Sequence, residues 1–309
     1  MNELTNKNAP GKTRAPGLLL VILSGATFGV MPALVTFCYR QGATPMLVLL
    51  FRFSALSLAV LPWARRDGGL GRALRLNWKL LLPIGLAGGL TPLLLYTAYQ
   101  SLSTGLTMTL HFLYPTLVML WCVLVYRERL SGGKLLCLAF SVGGILLTLD
   151  LSDRRMSLLG VALALLSGLT YAAYIVWMKK LPLREITTFQ LAFFVGLGCL
   201  GVAAGHGLLT GGFAAVRRVT LLGWVSLTLV GTILAVCGSL LFILGARRTD
   251  AQVAAIASTL EPLVSILVGV LLLHEPMHLR TGIGCALILA AVVLLPIFTG
   301  KENAGAAEQ

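Results

Sequence analysis

Residues 113–128 read LYPTLVMLWCVLVYRE, and residues 260–275 read LEPLVSILVGVLLLHE. In both, a proline stands two places after a leucine and a glutamate follows the proline by 13 residues. At a constant offset of 147, Leu113, Pro115, Leu120, Val123, Leu124 and Glu128 fall on Leu260, Pro262, Leu267, Val270, Leu271 and Glu275. Leucine meets leucine by chance in an apolar chain, but a repeated Pro-to-Glu spacing at the end of an apolar run is more informative. A second echo lies upstream, where Leu23-Ser24-Gly25-Ala26-Thr27-Phe28 recurs as Leu166-Ser167-Gly168-Leu169-Thr170-Tyr171 at an offset of 143. The chain therefore carries one unit twice.

The surroundings of the repeat say what kind of unit it is. With 57% apolar and 11% charged residues among 309, a soluble domain has too little polar surface. The 34 glycines have no period and the six cysteines are scattered within apolar runs, which excludes collagen-like and disulfide-scaffold readings. A net charge of +13 comes in small clusters between apolar runs and forms no basic face, so it speaks for membrane topology and anionic lipid rather than nucleic acid.

Crossing the hydrocarbon core takes about 20 apolar residues. Ten segments qualify: 17–38, 44–63, 78–99, 103–126, 132–149, 157–178, 186–209, 220–246, 251–273 and 281–299. The polar start with Lys7, Lys12 and Arg14 resembles a signal peptide, but the apolar run after it is about 22 residues long, beyond the 7–15 of such a region. It reads as a permanent span. With the N-terminus inside, cytoplasmic segments hold 17 Lys and Arg against six on the other side, so both termini are expected in the cytoplasm. The expected fold is an all-α polytopic membrane protein with ten transmembrane helices as two inverted five-helix repeats, 17–149 and 157–299, joined by 150–156, with tails at 1–16 and 300–309. Five is odd, so the second unit enters from the opposite side; inverted repeats are typical of secondary transporters, with the substrate near the midplane.

The ten spans, the paired Pro115…Glu128 and Pro262…Glu275 elements, Arg52-Phe53 and the run Leu260-Glu261-Pro262-Leu263 resemble the EamA type of the drug/metabolite transporter superfamily over residues 17–299. The resemblance implies export or exchange of small metabolites such as amino acids. It further implies a central cavity lined mainly by spans one to four and six to nine, peripheral fifth and tenth spans, and residence in the bacterial cytoplasmic (inner) membrane. The expected partners are a small-molecule substrate and the lipid bilayer, with no cofactor and no metal; a homo-oligomer is compatible with the reading.

Four charged residues fall inside the spans: Arg52, Lys79, Lys134 and Glu261. Lys79 and Lys134 stand in a first cytoplasmic turn and are expected to snorkel. Arg52 and Glu261 are deep, where a charge costs roughly 3 kcal/mol even on a lenient scale, so each needs the protein interior or water. Glu261 is a candidate substrate or proton site, set against a structural ion pair. Arg52 cannot give up its proton and is expected to be a fixed charge that neutralises a neighbour or bonds to backbone carbonyls. Pro115 and Pro262 each remove one amide bond and free the carbonyls of His111 and Ser258. His111, Tyr114 and Ser258 share those faces with Glu261. Thr27, Tyr96, Tyr171 and Tyr174 complete the deep polar and aromatic inventory, with packing as the competing role for the tyrosines; Tyr99 and Trp177, near helix ends, are expected to anchor at the interface. Glu128 and Glu275 are expected to cap turns or pair with Arg127, Arg129 and Arg280.

An intramembrane enzyme is disfavoured. The only His-Glu-x-x-His spacing, His274-Glu275-Pro276-Met277-His278, falls past the end of span nine and carries a proline within it, so it forms no metal-binding helix at membrane depth, and Asp67, Asp150, Asp153 and Asp250 all lie at or beyond span ends. A channel is disfavoured by the absence of a filter-like run. For the substrate, one deep cation is too few for a sugar phosphate. An amino acid or related zwitterion fits best, with a lipophilic organic cation as the alternative.

Overall fold

The computed structural model describes residues 14–66, 69–127, 132–148, 157–246, 260–275 and 277–307, and among these every regular element is helical. The first group comprises α1 (Arg14–Arg40), α2 (Pro45–Arg66), α3 (Leu70–Ala98), α4 (Thr104–His111), α5 (Tyr114–Tyr126) and α6 (Gly132–Thr148). The second comprises α7 (Leu158–Lys180), α8 (Thr188–Leu209), a 3-10 segment Gly212–Arg218, α9 (Leu221–Ile233), a π-helical segment Leu234–Leu240, α10 (Leu241–Ala246), α11 (Leu260–Leu272) and α12 (Leu279–Ala307). In lipid a backbone must satisfy its own polar groups, so long apolar runs fold as helices. Seven of them, counting α4 with α5 and α9 with the π segment, are long and apolar enough to cross a bilayer. Gly132–Leu147, Leu260–Leu272 and Leu279–Leu294 are shorter apolar helices.

Hydroxyl side chains start several helices. Ser103, Ser157 and Thr220 accept from the amides of Leu106, Gly160 and Gly223, and Thr187 with Gln190 forms a reciprocal capping box. Helix α3 departs from its expected start at 78 and begins at Leu70. Buried Asn77 explains the extension: its amide donates to the carbonyls of Ala73 at 2.9 Å and Arg184 at 2.8 Å, and its oxygen accepts from the Arg184 amide at 2.8 Å. A second departure is Lys134, which is buried in α6 at 8% exposure instead of snorkelling. Lys79 is exposed beside the Trp78 ring.

The extensive interfaces all join the first group of helices to the second. Helix α3 packs on α7 as α1 packs on the α9–α10 unit, and α3 packs on α8 as α2 packs on α9. The α4–α5 pair lies on α7 as α1 lies on α11, while α2–α8, α4–α11 and α6–α12 each pair with their own counterpart. Each of these extensive contacts thus reappears when the two groups are exchanged, as an approximate two-fold requires. The α6–α12 pair packs chiefly on itself, held together where Gly144 lets the Gly284 carbonyl approach, and gives Val292 to the main core. That core gathers buried side chains of α1, α2, α3, α8 and α9, with Tyr96 at its centre at 0% exposure.

Candidate substrate site

Three glycines bring the deep polar residues together. A Cβ at Gly231 of α9 would lie 3.1 Å from the Arg52 amide nitrogen, one at Gly29 of α1 would lie 2.8 Å from the Glu261 carbonyl, and one at Gly168 of α7 would lie 3.0 Å from the His111 carbonyl. Larger residues would push the helices apart at each of these positions.

Arg52, on α2, lies over the Phe28 and Phe53 rings, its guanidinium carbon 5.2 Å from each ring centroid. Its Nη1 donates to the Tyr96 hydroxyl at 2.7 Å and to Met31 Sδ at 3.8 Å, and the Tyr96 hydroxyl donates to the same sulfur at 2.9 Å. The Tyr96 carbonyl in turn accepts from the Tyr39 hydroxyl at 2.9 Å. Arg52 is therefore a fixed cation, and among the described residues aromatic faces, a phenol and a thioether fix it, not a backbone carbonyl or a carboxylate partner. Phe28 also packs on Gly238 in the π segment, whose carbonyl accepts from Ser24 Oγ at 2.8 Å. That bond satisfies a backbone group in a stretch of irregular helix.

The chain turns at Phe112 and Leu113, between α4 and α5, where the Pro115 nitrogen has no hydrogen to give to the His111 carbonyl. His111 is buried, and its Nδ1 lies 2.9 Å from Ser167 Oγ, which donates to the Ala164 carbonyl at 2.6 Å. With its one proton given to Ala164, the Ser167 oxygen accepts from Nδ1–H of the imidazole. Around the imidazole stand Tyr114 and Tyr171, with ring centroids 5.8 and 5.5 Å away. Tyr114 meets Tyr171 edge-on at 4.6 Å, and Tyr171 stacks on Tyr174 at 5.8 Å. Thr91 and Thr170 join α3 to α7 nearby through a 2.9 Å hydroxyl pair.

Glu261, half-buried in the first turn of α11, sits on a different face of that helix from the exposed Leu263 and Leu267. Among the described residues its carboxylate makes no ion pair with Arg52 within 4.0 Å, although the two charges, together with the Tyr96, Tyr99 and Tyr171 hydroxyls, lie within Coulombic range. Pro262, beside it, is buried. Ser258 and Glu128 lie outside the described residues. Thr27 donates back to the Leu23 carbonyl of its own helix at 2.9 Å. Two apolar depressions, one at Leu263, Leu289 and Leu294 and one at Trp224 and Leu229, lie on the outer faces of α11, α12 and α9 and include no candidate residue.

Several expectations change. Tyr99 is not an interface anchor: it is 5% exposed, with its ring 6.1 Å from that of Tyr96. Trp177 is half-buried and meets Trp121 edge-on at 6.2 Å. Glu275 does cap a helix, but in the other half of the chain. It accepts from the Thr104 amide at 2.9 and 3.0 Å and from the Thr104 hydroxyl at 3.0 Å, while Arg280 donates elsewhere, to the Leu146 carbonyl at 3.3 Å. Met31 and Ser167 had no signal beyond being polarisable or polar residues in an apolar run; their roles come from what the packing puts beside them.

The EamA-like transporter family matches the chain twice, at residues 15–150 and 158–296. An uncharacterized transporter of Archaeoglobus fulgidus is 29% identical over 278 residues, covering 90% of this chain and 95% of its own. The uncharacterized inner membrane transporter YicL of Salmonella typhimurium is 28% identical over 70% of this chain and 72% of its own. A protein of known crystal structure, 18% identical, superposes with a TM-score of 0.58 over 93% of this chain and 99% of that one, a likeness of fold alone.

Proposed function

The chain belongs to the EamA-like transporter family, whose members are transporters and not enzymes, and on that premise we propose that it carries a small zwitterionic metabolite, an amino acid or a close relative, by alternating access. It is an integral membrane protein of two repeats. In this reading seven long and three shorter apolar helices make ten crossings, with both termini in the cytoplasm and the chain in the bacterial inner membrane. The units 17–149 and 157–299 are inverted copies about a midplane cavity.

The observation that supports the reading best is the convergence of Arg52 with Tyr96, His111 with Tyr114, Tyr171 and Tyr174, and Glu261 on interfaces between the two halves. A substrate held there touches both repeats, so rocking one against the other exposes it to alternate sides. The cation receives a carboxylate, Glu261 an amine, and the aromatic faces the apolar part. Ser258 and Thr27 are further proposed contacts, and Pro115 and Pro262 supply the helix breaks.

A lipophilic organic cation is the second reading, favoured by the Tyr114–Tyr171–Tyr174 rings on the side of the site where Glu261 offers a countercharge. Counterflow in proteoliposomes with labelled amino acids and labelled quaternary amines tests both. Uptake of amino acids supports the first reading; uptake of the amines alone replaces it with the second.

A further inference from the structure

Among the described residues, Arg52 Nε and the Tyr99 hydroxyl are buried without any hydrogen-bond partner. Buried donors in native proteins nearly always find an acceptor, and of the six such atoms among the described residues Arg52 Nε alone belongs to a permanently charged group, so it and the nearby phenol call most strongly for one. The two belong to one cluster. Arg52 is bonded to Tyr96, whose ring lies 6.1 Å from that of Tyr99. The guanidinium cannot swing to find a partner, because Phe28 and Phe53 hold its faces and Tyr96 and Met31 hold Nη1. A rigid cation and a phenol, both donors, want an acceptor with one negative charge. A phosphate would bring a second negative charge beside Glu261 with no second cation, and an amide carbonyl would bring none to meet the guanidinium.

Resting on the transporter reading above, we propose that Arg52 Nε–H and the Tyr99 hydroxyl form the seat of the substrate's carboxylate, and that Tyr99 is the residue that separates acids from their neutral derivatives. A site built to bond one group rejects the analogue lacking it more strongly than an apolar pocket does, because its own polar atoms are then left unpaired.

The test uses the full chain in proteoliposomes, with labelled L-leucine and L-leucinamide as probes, which differ in the carboxylate alone. The wild type should exchange leucine at least about tenfold better than leucinamide. Tyr99→Phe should raise the KM for leucine roughly tenfold or more, with leucinamide unchanged. Its stability without substrate should stay level or rise, because the hydroxyl removed bonds nothing. Arg52→Lys keeps the charge but removes the planar Nε–H, and should weaken leucine exchange similarly. Equal handling of acid and amide, an unchanged leucine KM in Tyr99→Phe, or a drop in its unliganded stability would overturn the proposal; the last outcome would mark the hydroxyl as structural, and an unchanged KM would mark water as the occupant. Exchange of leucinamide or a quaternary amine without leucine would remove the carboxylate seat and leave the transporter standing, whereas exchange of no probe would count against both.

Discussion

Replacing Tyr96 by phenylalanine probes the Arg52 arrangement most sharply. The lost hydroxyl accepts from Arg52 Nη1 at 2.7 Å and donates to Met31 Sδ at 2.9 Å, and Tyr96 is wholly buried, so water has no route to take its place. A hydrogen bond to an ionised group contributes about 1.5–3 kcal/mol, whereas a thioether is a weak acceptor, so the guanidinium bond dominates. The ring stays, so no cavity opens and no packing is lost. The Phe28 and Phe53 faces, worth about 0.5–2 kcal/mol each, still retain the cation. The expected destabilisation is therefore about 1.5–3 kcal/mol, read in detergent as a fall of roughly 3–8 °C in the apparent Tm. Arg52→Met removes the charge that the hydroxyl serves. In that background the tyrosine change should cost little, and the four-variant cycle should give a coupling of about 1.5 kcal/mol or more. A Tyr96→Phe protein within about 1 °C of wild type, or additive effects in the cycle, would refute the reasoning.

Four further outcomes follow from the same geometry. Glu261→Gln should keep stability near wild type, since among the described residues no Arg52–Glu261 ion pair is broken, yet it should impair transport or change its pH dependence; a loss of about 3 kcal/mol, recovered by Arg52→Met, would instead reveal a structural pair. Glu275→Ala removes the acceptor for the Thr104 amide and hydroxyl and should cost about 1–2 kcal/mol in thermal unfolding, with Thr104→Val costing less. Ser167→Ala leaves His111 Nδ1 without its partner and should lower stability by about 1–3 kcal/mol, and an unchanged Tm would show the imidazole rebonding elsewhere. Cysteine labelling should report Ser103 from outside and Gly69 from the cytoplasm, and the reverse pattern would invert the topology.

The repeat, the helical class and the two deep charges were legible because each rests on a rule that lipid enforces strictly: backbone bonds close locally, and charges stay out of hydrocarbon. The helix break before Pro115 was legible for the same covalent reason. Partners were harder to read. Tyr99 stands at a helix end like an interface anchor, and only the packing of α3 shows that it is buried beside Tyr96. The sequence favours a carbonyl or carboxylate for Arg52, whereas the fold supplies Tyr96, Met31 and two phenylalanines from three helices. Glu275 was expected to cap, but its target belongs to the other repeat, which local sequence does not encode. The π segment Leu234–Leu240 has no proline and gave no warning; its carbonyl bond to Ser24 spans 214 residues of chain.

The central claim is that one substrate site between the repeats opens to each side in turn. Counterflow tests it most directly: proteoliposomes loaded with unlabelled leucine are diluted into trace labelled leucine, with wild type and Glu261→Gln compared. The account predicts a transient accumulation of label that needs the unlabelled partner inside and falls sharply in the variant. Uptake indifferent to the internal partner, as a channel gives, or an equal overshoot in the variant would contradict it.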